Sequence, residues 1–391
     1  MKIALVSVYD FGHPGGVNLH CAHLAHEFTR RGHSVRIIAP CSRPDAIFGS
    51  DKLIPLGNPL AVPTAGTIAR FTLSMRLSSK VKPVLEREKF DVIHLHEPLC
   101  PTLPTTILKF SNSKNIGTFH ASHGSRRILG VSIADRAYTI FNRYVRTHWL
   151  NKLHDKIAVS QAALEFVAKH FPGKYHIIPN GIDLNRFTPD VIPIEEYRDG
   201  KLNILFVGRL EKRKGLKYLL AAYTKLKWDF PNIRLLVVGP GKLDPDSQRL
   251  LGERNPKDVV VVGTVSHDDL PRYYKTADIF CTPATSHESF GMVLLEAMAV
   301  GKPVVASNIV GYAGVVTDGV EGFLVPPKRE DELASVLARL IQNESLRAEL
   351  GERGLAHVQE YSWERVAERV MSVYNNTFAP TSQPIPVPTT A

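Results

Sequence analysis

The sequence predicts two α/β halves, each a parallel sheet with helices packed on it. Three observations carry this. The chain has 391 residues, more than one ordinary hydrophobic core accommodates. Short β-branched runs alternate with longer helical stretches, a pattern that implies right-handed βαβ crossovers and parallel strands. Midway, Pro189, Pro193 and a charged cluster ending in Asp199-Gly200 interrupt the alternation.

In chain order, the first half offers strands at 3–8, 35–38, 92–95, 116–119, 156–159 and 176–178. The second offers 203–207, 234–238, 259–262, 279–282, 303–306 and 322–325. Two surface helices follow at 330–343 and 344–359, and Ser362 suits the cap of a last helix over 363–376. The domains are thus expected at 1–186, with the last helix (362–377) added, and at 203–361, joined by a linker at 187–202. Residues 378–391, rich in Pro, Thr and Ser, read as a disordered tail.

Composition bounds the function. The 48 basic and 38 acidic side chains leave a net charge of +10, which favours an anionic partner without choosing it. The apolar start runs into Asp10 without a cleavage site and reads as a buried strand. No apolar run approaches the ~20 residues of a spanning helix, so any membrane contact is expected at the surface. Cys21, Cys41, Cys100 and Cys281 form no CxxC pair, which argues against a zinc knuckle or a disulfide framework and fits a reducing cytoplasm.

The strongest chemical signal is Ser286-His287-Glu288-Ser289-Phe290-Gly291-Met292-Val293-Leu294-Leu295-Glu296, which follows a strand and opens a helix. Glu288 falls in the loop and Glu296 about one turn into the helix. Between them the N–H groups of Phe290, Gly291, Met292 and Val293 attract phosphate. One carboxylate can meet a sugar and the other a ribose. The plainer alternative is a solvated Glu288 and a Glu296 that complements the helix dipole.

Context favours the first reading. Gly208-Arg209-Leu210-Glu211-Lys212-Arg213-Lys214-Gly215 ends the second half's first strand. Arg209 can take phosphate oxygens bidentately and Lys214 can act as a point charge; Lys212 and Arg213 are assigned to solvent. In the first half, Tyr9-Asp10-Phe11-Gly12-His13-Pro14-Gly15-Gly16 lacks the GxGxxG spacing of a dinucleotide site, but Gly15-Gly16 at a helix start lets a ligand approach the backbone. His120 ends a strand at a crevice edge and can hydrogen-bond a sugar hydroxyl. His94, His96, His120 and His123 invite a metal reading, which lacks an HExxH spacing or a cysteine pair. Asn180-Gly181 reads as a tight turn free to take positive φ.

Together these segments, in order and over nearly the whole chain, resemble the retaining GT-B glycosyltransferases of family four. The resemblance is nearest to the branch that mannosylates phosphatidylinositol, through Gly15-Gly16-Val17, Asp91-Val92-Ile93-His94-Leu95-His96-Glu97-Pro98 and Thr118-Phe119-His120. It implies two Rossmann-like domains facing a cleft, with the last helix crossing back to the first. It implies roles as well: Arg209 and Lys214 on the diphosphate, Glu288 and His120 on the sugar, and Glu296 on the ribose. Val265 would approach the base, and Gly16 the phosphate and acceptor. Tyr9, Asn18 and Arg70 would lie on the acceptor side.

The implied donor is GDP-mannose, a substrate and not a cofactor, with no metal and no nucleic acid; the implied acceptor is a phospholipid. Departures remain: His287 stands where that branch has glycine, Asn18 where it has glutamine, and Thr64-Ala65-Gly66-Thr67 replaces its acceptor loop. A UDP-sugar donor, a soluble acceptor, another GT-B relative such as a phosphorylase or epimerase, and a non-catalytic polyanion binder are the alternatives.

Two segments suggest an anionic membrane surface. Leu73, Leu77 and Val81 recur with Arg76 and Lys80 beside them, as in a basic amphipathic helix. Arg126, Arg127, Arg136, Arg143, Arg146 and Lys152 interleave with Tyr138, Phe141, Tyr144 and Trp149. In the alternative reading, the apolar positions of both segments face the protein core.

Overall fold

The computed structural model describes the chain except residues 14, 44–49, 65–66, 73–76, 101, 122–126, 129–130, 133–147, 255 and 379–391. Two parallel sheets dominate it. The first holds seven strands in the spatial order His176–Ile177, Asp155–Ala158, Lys114–Phe119, Val92–His96, Lys2–Val6, Ser34–Ala39, Leu53–Pro55. The second holds six: Val259–Gly263, Ile233–Val238, Leu202–Val207, Ile279–Thr282, Val304–Ser307, Gly322–Val325. Strands such as Ile233–Val238 are buried along their whole length, which is why they read as continuous apolar runs and not as alternating ones.

Each sheet reverses its strand order once, between Lys2–Val6 and Val92–His96 and between Leu202–Val207 and Ile279–Thr282. The carboxyl ends of strands at such a reversal open into a crevice, because the flanking connections run to opposite sides. The motifs singled out in the sequence follow these strands.

The last helix, Trp363–Phe378, returns to the first half. Val366, Ala367, Val370, Val373 and Tyr374 join the core formed with the helix Gly16–Arg30. The chain therefore crosses between the cores twice, between Ile178 and Ile182 and between Tyr361 and Trp363. The crossings are tied together: Ile182 N–H donates to Tyr361 O at 2.8 Å. A Cβ on Gly181 would meet the Trp363 indole at 2.4 Å. Gly181 does not take the positive φ expected of the turn; its lack of a side chain serves the close approach of the indole instead. The 187–202 stretch packs onto the second half, with Phe187 and Tyr197 buried and Tyr197 stacked under the Arg234 guanidinium.

The sequence reading did not include every strand. Leu53–Pro55 extends the first sheet, and Pro59–Thr64 pairs antiparallel with Thr67–Thr72. Pro59 and Pro63 hid this hairpin, since proline argues against an interior strand yet is tolerated in a two-stranded edge ribbon.

Candidate active site

At the second sheet's reversal two loops interlock. The turn Lys212–Lys214 ends at Gly215, which has φ 75°. A Cβ there would fall 1.9 Å from Pro283 O, so only glycine allows the contact. Thr285 N–H donates to Arg213 O at 2.8 Å. This lacing brings Lys214 Nζ to 2.8 Å and Arg213 Nη1 to 2.6 Å from Glu288 Oε1. Arg209 lies 2.6 Å from Glu211 on the same loop, and Glu211 also pairs with Arg213. The assignment of Arg213 to solvent is corrected: folding turns it onto Glu288. Lys212 stays exposed.

Gly291, at φ 88°, caps the helix Met292–Ala299. First-turn amides have no intrahelical acceptor, so the N–H groups of Met292 and Val293 are available to an anion. Phe290 is buried against Tyr361, while Met292 and Val293 are partly exposed. Glu296 receives the Tyr274 hydroxyl at 2.6 Å. Burial raises its pKa, against the opposing pull of Tyr274, Arg186 and Lys214. Lys214 thus bonds one carboxylate and acts electrostatically on the other. Val265 packs partly buried beside this core, just after Gly263. His287 has φ 60°, a left-handed backbone that favours glycine, the residue that the family resemblance implies here.

In the first half, Tyr9 bridges Phe71 and Asp10 N–H donates to Arg70 O at 2.8 Å, so the hairpin sets Arg70 beside Tyr9 at the crevice. Asn18 is buried. Its amide donates to Asp10 O and His13 O and accepts from Ser7 Oγ, which fixes the 7–13 loop. Among the described residues a Cβ on Gly15 or Gly16 would meet nothing within 4 Å, so nothing described demands glycine there.

His120 follows the strand Lys114–Phe119. Its backbone N–H, with that of Ala121, donates to Glu97 Oε1. Its Nε2 lies 2.9 Å from His96 Nδ1. His94 is engaged at both nitrogens, by Tyr374 and Thr118, so neither is available to a metal. Among the described residues no group of three His, Cys, Asp or Glu forms a metal site, and His123 lies outside those residues. Burial holds the pKa of His20, His94, His96 and His120 low and keeps the imidazoles neutral.

The two halves touch through the Glu288 loop. Ser289 Oγ donates to His120 O, and Ser160 Oγ donates to Ser289 O. Ser160 also caps the helix Gln161–His170. The loop that carries Glu288, with Lys214 and Arg213 paired to that carboxylate, thereby touches His120 of the other half. Sequence reasoning gave neither serine a role: Ser289 lies within the Glu288 motif but was assigned nothing, and no motif marks Ser160. It missed Arg186 too, which stacks on Phe187, donates to His267 O and acts on Glu296.

One surface reading is corrected. In the helix Leu77–Glu88 the apolar stripe of Leu77, Val81 and Val84 is buried in the first core, leaving Lys80 and Lys82 exposed. Those side chains are not available for insertion into lipid. Leu73, Arg76 and most of 126–147 lie outside the described residues. No described helix is long and apolar enough to cross a membrane.

Comparison with known proteins fits this geometry. The profile described as Glycosyltransferase Family 4 matches residues 14–186, and that described as Glycosyl transferases group 1 matches 190–357. A phosphatidyl-myo-inositol mannosyltransferase of Mycobacterium tuberculosis is 35% identical over 380 residues, covering 96% of each chain. One from Mycolicibacterium smegmatis is 34% identical, covering 96% of this chain and 93% of its own. Among solved structures, Anabaena HepE in complex with UDP has a TM-score of 0.73 at 20% identity, over 96% of this chain and 100% of that one. A sucrose-phosphate synthase from Thermosynechococcus elongatus has a TM-score of 0.71 at 24% identity, over 96% and 99%.

Proposed function

The chain belongs to the family 4, group 1 glycosyltransferases of GT-B fold, and from that premise we propose that it transfers mannose from GDP-mannose to phosphatidylinositol or a related lipid, with retention of anomeric configuration. The observation that carries the proposal is the convergence of Lys214, Arg213 and Glu288 in front of the Gly291 helix terminus, opposite His120. Similarity to mannosyltransferases along 96% of the chain supports the choice of sugar and acceptor.

The chemistry follows from charge. Cleaving the anomeric C–O bond builds positive charge on the sugar and negative charge on the departing phosphate. Arg209, Lys214 and the N–H groups after Gly291 stabilise the phosphate. Glu288 and His120 hold the sugar, Glu296 the ribose, and Val265 lies along the base. Gly16 leaves room for the reacting groups, with Tyr9 and Arg70 on the acceptor side and Asn18 holding their loop. The departing phosphate oxygen takes the acceptor's proton, so no side-chain base is needed, and the cations supply charge that a metal would otherwise provide. Contact with the cytoplasmic face of the membrane is electrostatic, through exposed lysines such as Lys80 and Lys82, at ~1 kcal/mol per basic residue near an anionic surface.

A UDP-sugar donor is the second reading, favoured by the likeness to HepE solved with UDP. One assay separates the two: transfer from radiolabelled GDP- and UDP-hexoses to liposomes with and without phosphatidylinositol. Label from GDP-mannose entering the lipid only when phosphatidylinositol is present is the expected result. Transfer from UDP-sugars alone, or only to a soluble polyol, overturns the proposal.

A further inference from the structure

We propose that His96 is a positioning residue that fixes the tautomer of His120, placing its proton on Nδ1 so that His120 meets the cleft as a hydrogen-bond donor and not as a base. This deepens the glycosyl-transfer reading and rests on it for its chemical meaning.

The argument is one of proton accounting. His96 is fully buried at the end of the strand Val92–His96, and its Nδ1 lies 2.9 Å from His120 Nε2. Both rings are neutral because burial opposes their charging. A neutral imidazole carries one N–H, so one nitrogen of the contact donates and the other accepts. Suppose His120 Nε2–H donates. His96 Nδ1 is then bare and its proton sits on Nε2, which is buried with no hydrogen-bond partner among the described residues. That arrangement leaves an orphaned N–H donor. Suppose instead that His96 Nδ1–H donates. The orphan is then only a lone pair. Buried orphaned donors are rarer than under-satisfied acceptors, so the second arrangement holds. His120 Nε2 accepts, and its proton resides on Nδ1.

Among the described residues nothing else nearby competes for that choice. Both His94 nitrogens are engaged by Tyr374 and Thr118. His20 Nδ1 is bonded to Asn180, and its ring packs edge-on against His120 with centroids 5.0 Å apart. Glu97 bonds the backbone N–H of His120 and Ala121. His120 Nδ1 has no protein partner among the described residues and is left for a ligand. With its accepting nitrogen turned inward, His120 can donate to a sugar or phosphate oxygen but cannot remove the acceptor's proton. That proton goes to the departing phosphate.

Long-range 1H–15N correlation spectra of the histidine-labelled protein read the tautomer directly, whether or not any donor is turned over. The wild type should show His120 protonated at Nδ1. His96→Asn, whose amide can donate near the former Nδ1, should keep that pattern. His96→Asp, whose carboxylate accepts where the Nδ1–H donated, should move the His120 proton to Nε2. The Asp variant should also lose about tenfold or more in kcat with donor KM within about twofold, and the Asn variant should retain most of it. A wild-type His120 protonated at Nε2 overturns the proposal even if the Asp variant does not fold. So does a His120 tautomer unchanged in a folded Asp variant. Absence of transfer from every donor, with Nδ1–H observed, would instead fail the functional reading and leave the tautomer assignment standing.

Discussion

Lys214 and Glu288 are paired with each other: Nζ and Oε1 lie 2.8 Å apart, with the side chains 12% and 11% exposed. The sequence suggests separate partners for them, diphosphate for the lysine and sugar for the glutamate. In the fold the carboxylate pairs with the cation proposed for the diphosphate. Glu288→Gln should therefore bind free nucleoside diphosphate more tightly, by about tenfold or about 1.4 kcal/mol, while turnover falls. Calorimetry and initial rates check the two halves of this. Weaker nucleotide binding by the variant would mean that Glu288 organises the cations instead of competing for them.

Removing a cation of the clamp should act on the reaction and not on the fold. Lys214→Ala and Arg209→Ala should each lower kcat by about 10²–10³. Arg213→Ala should lower it less, since its contact with Glu288 is indirect support. Melting temperatures near wild type must accompany the loss. Near-normal turnover in both of the first two variants would remove the clamp from the mechanism.

Gly16→Ala separates fold from function. The added methyl meets nothing within 4 Å among the described residues, so the melting temperature should hold or rise slightly, as Gly→Ala at a compatible helical site gives about 0.4–1 kcal/mol. If phosphate and acceptor pass close to this backbone, activity should drop at least about tenfold, by the loss of near-attack geometry. An active, stable variant would place the reacting groups elsewhere.

The cleft is fastened by Ser289 to His120 and by Ser160 to Ser289. Nucleotide binding should shift the protein toward this closed form. X-ray scattering should show a smaller radius of gyration with nucleotide in the wild type and a reduced change in Ser160→Ala/Ser289→Ala. Identical scattering curves with and without saturating nucleotide in the wild type would argue against closure.

Acid should destabilise the first half through its buried histidines. Burial holds His20 down to about 4 and His94 down to about 3, and keeps His96 and His120 well below the usual range. Unfolded imidazoles protonate below about 6.5 while the folded ones do not, so the unfolded state binds more protons. Stability is then full above about 6.5 and is lost as pH falls toward the folded values. Each group contributes a slope of up to about 1.4 kcal/mol per pH unit. Thermal unfolding between pH 7 and 5 should show a steep fall in Tm that His20→Asn flattens. A level Tm over that range would contradict the buried, neutral state.

The sequence by itself determined the two parallel sheets, because strands buried on both faces must be continuous apolar runs and the crossovers between them admit one hand. It also marked Arg209, Lys214, Glu288, Glu296, Gly16 and His120 as candidates, because local spacing at the end of a strand reports what a helix terminus or glycine turn can hold. The hairpin beside Tyr9 was hidden by its prolines. The stripe Leu77, Val81 and Val84 was legible as a pattern, but periodicity tells that a face is apolar and not what covers it; the first core does. Only tertiary structure decided that Arg213 joins Lys214 on Glu288, that Gly181 makes room for Trp363, that Ser289 reaches His120, and that His96 meets His120 nitrogen to nitrogen. These are contacts between residues dozens to more than a hundred and fifty positions apart. Their distances are set by the docking of sheets and loops, and no local spacing in the chain encodes them.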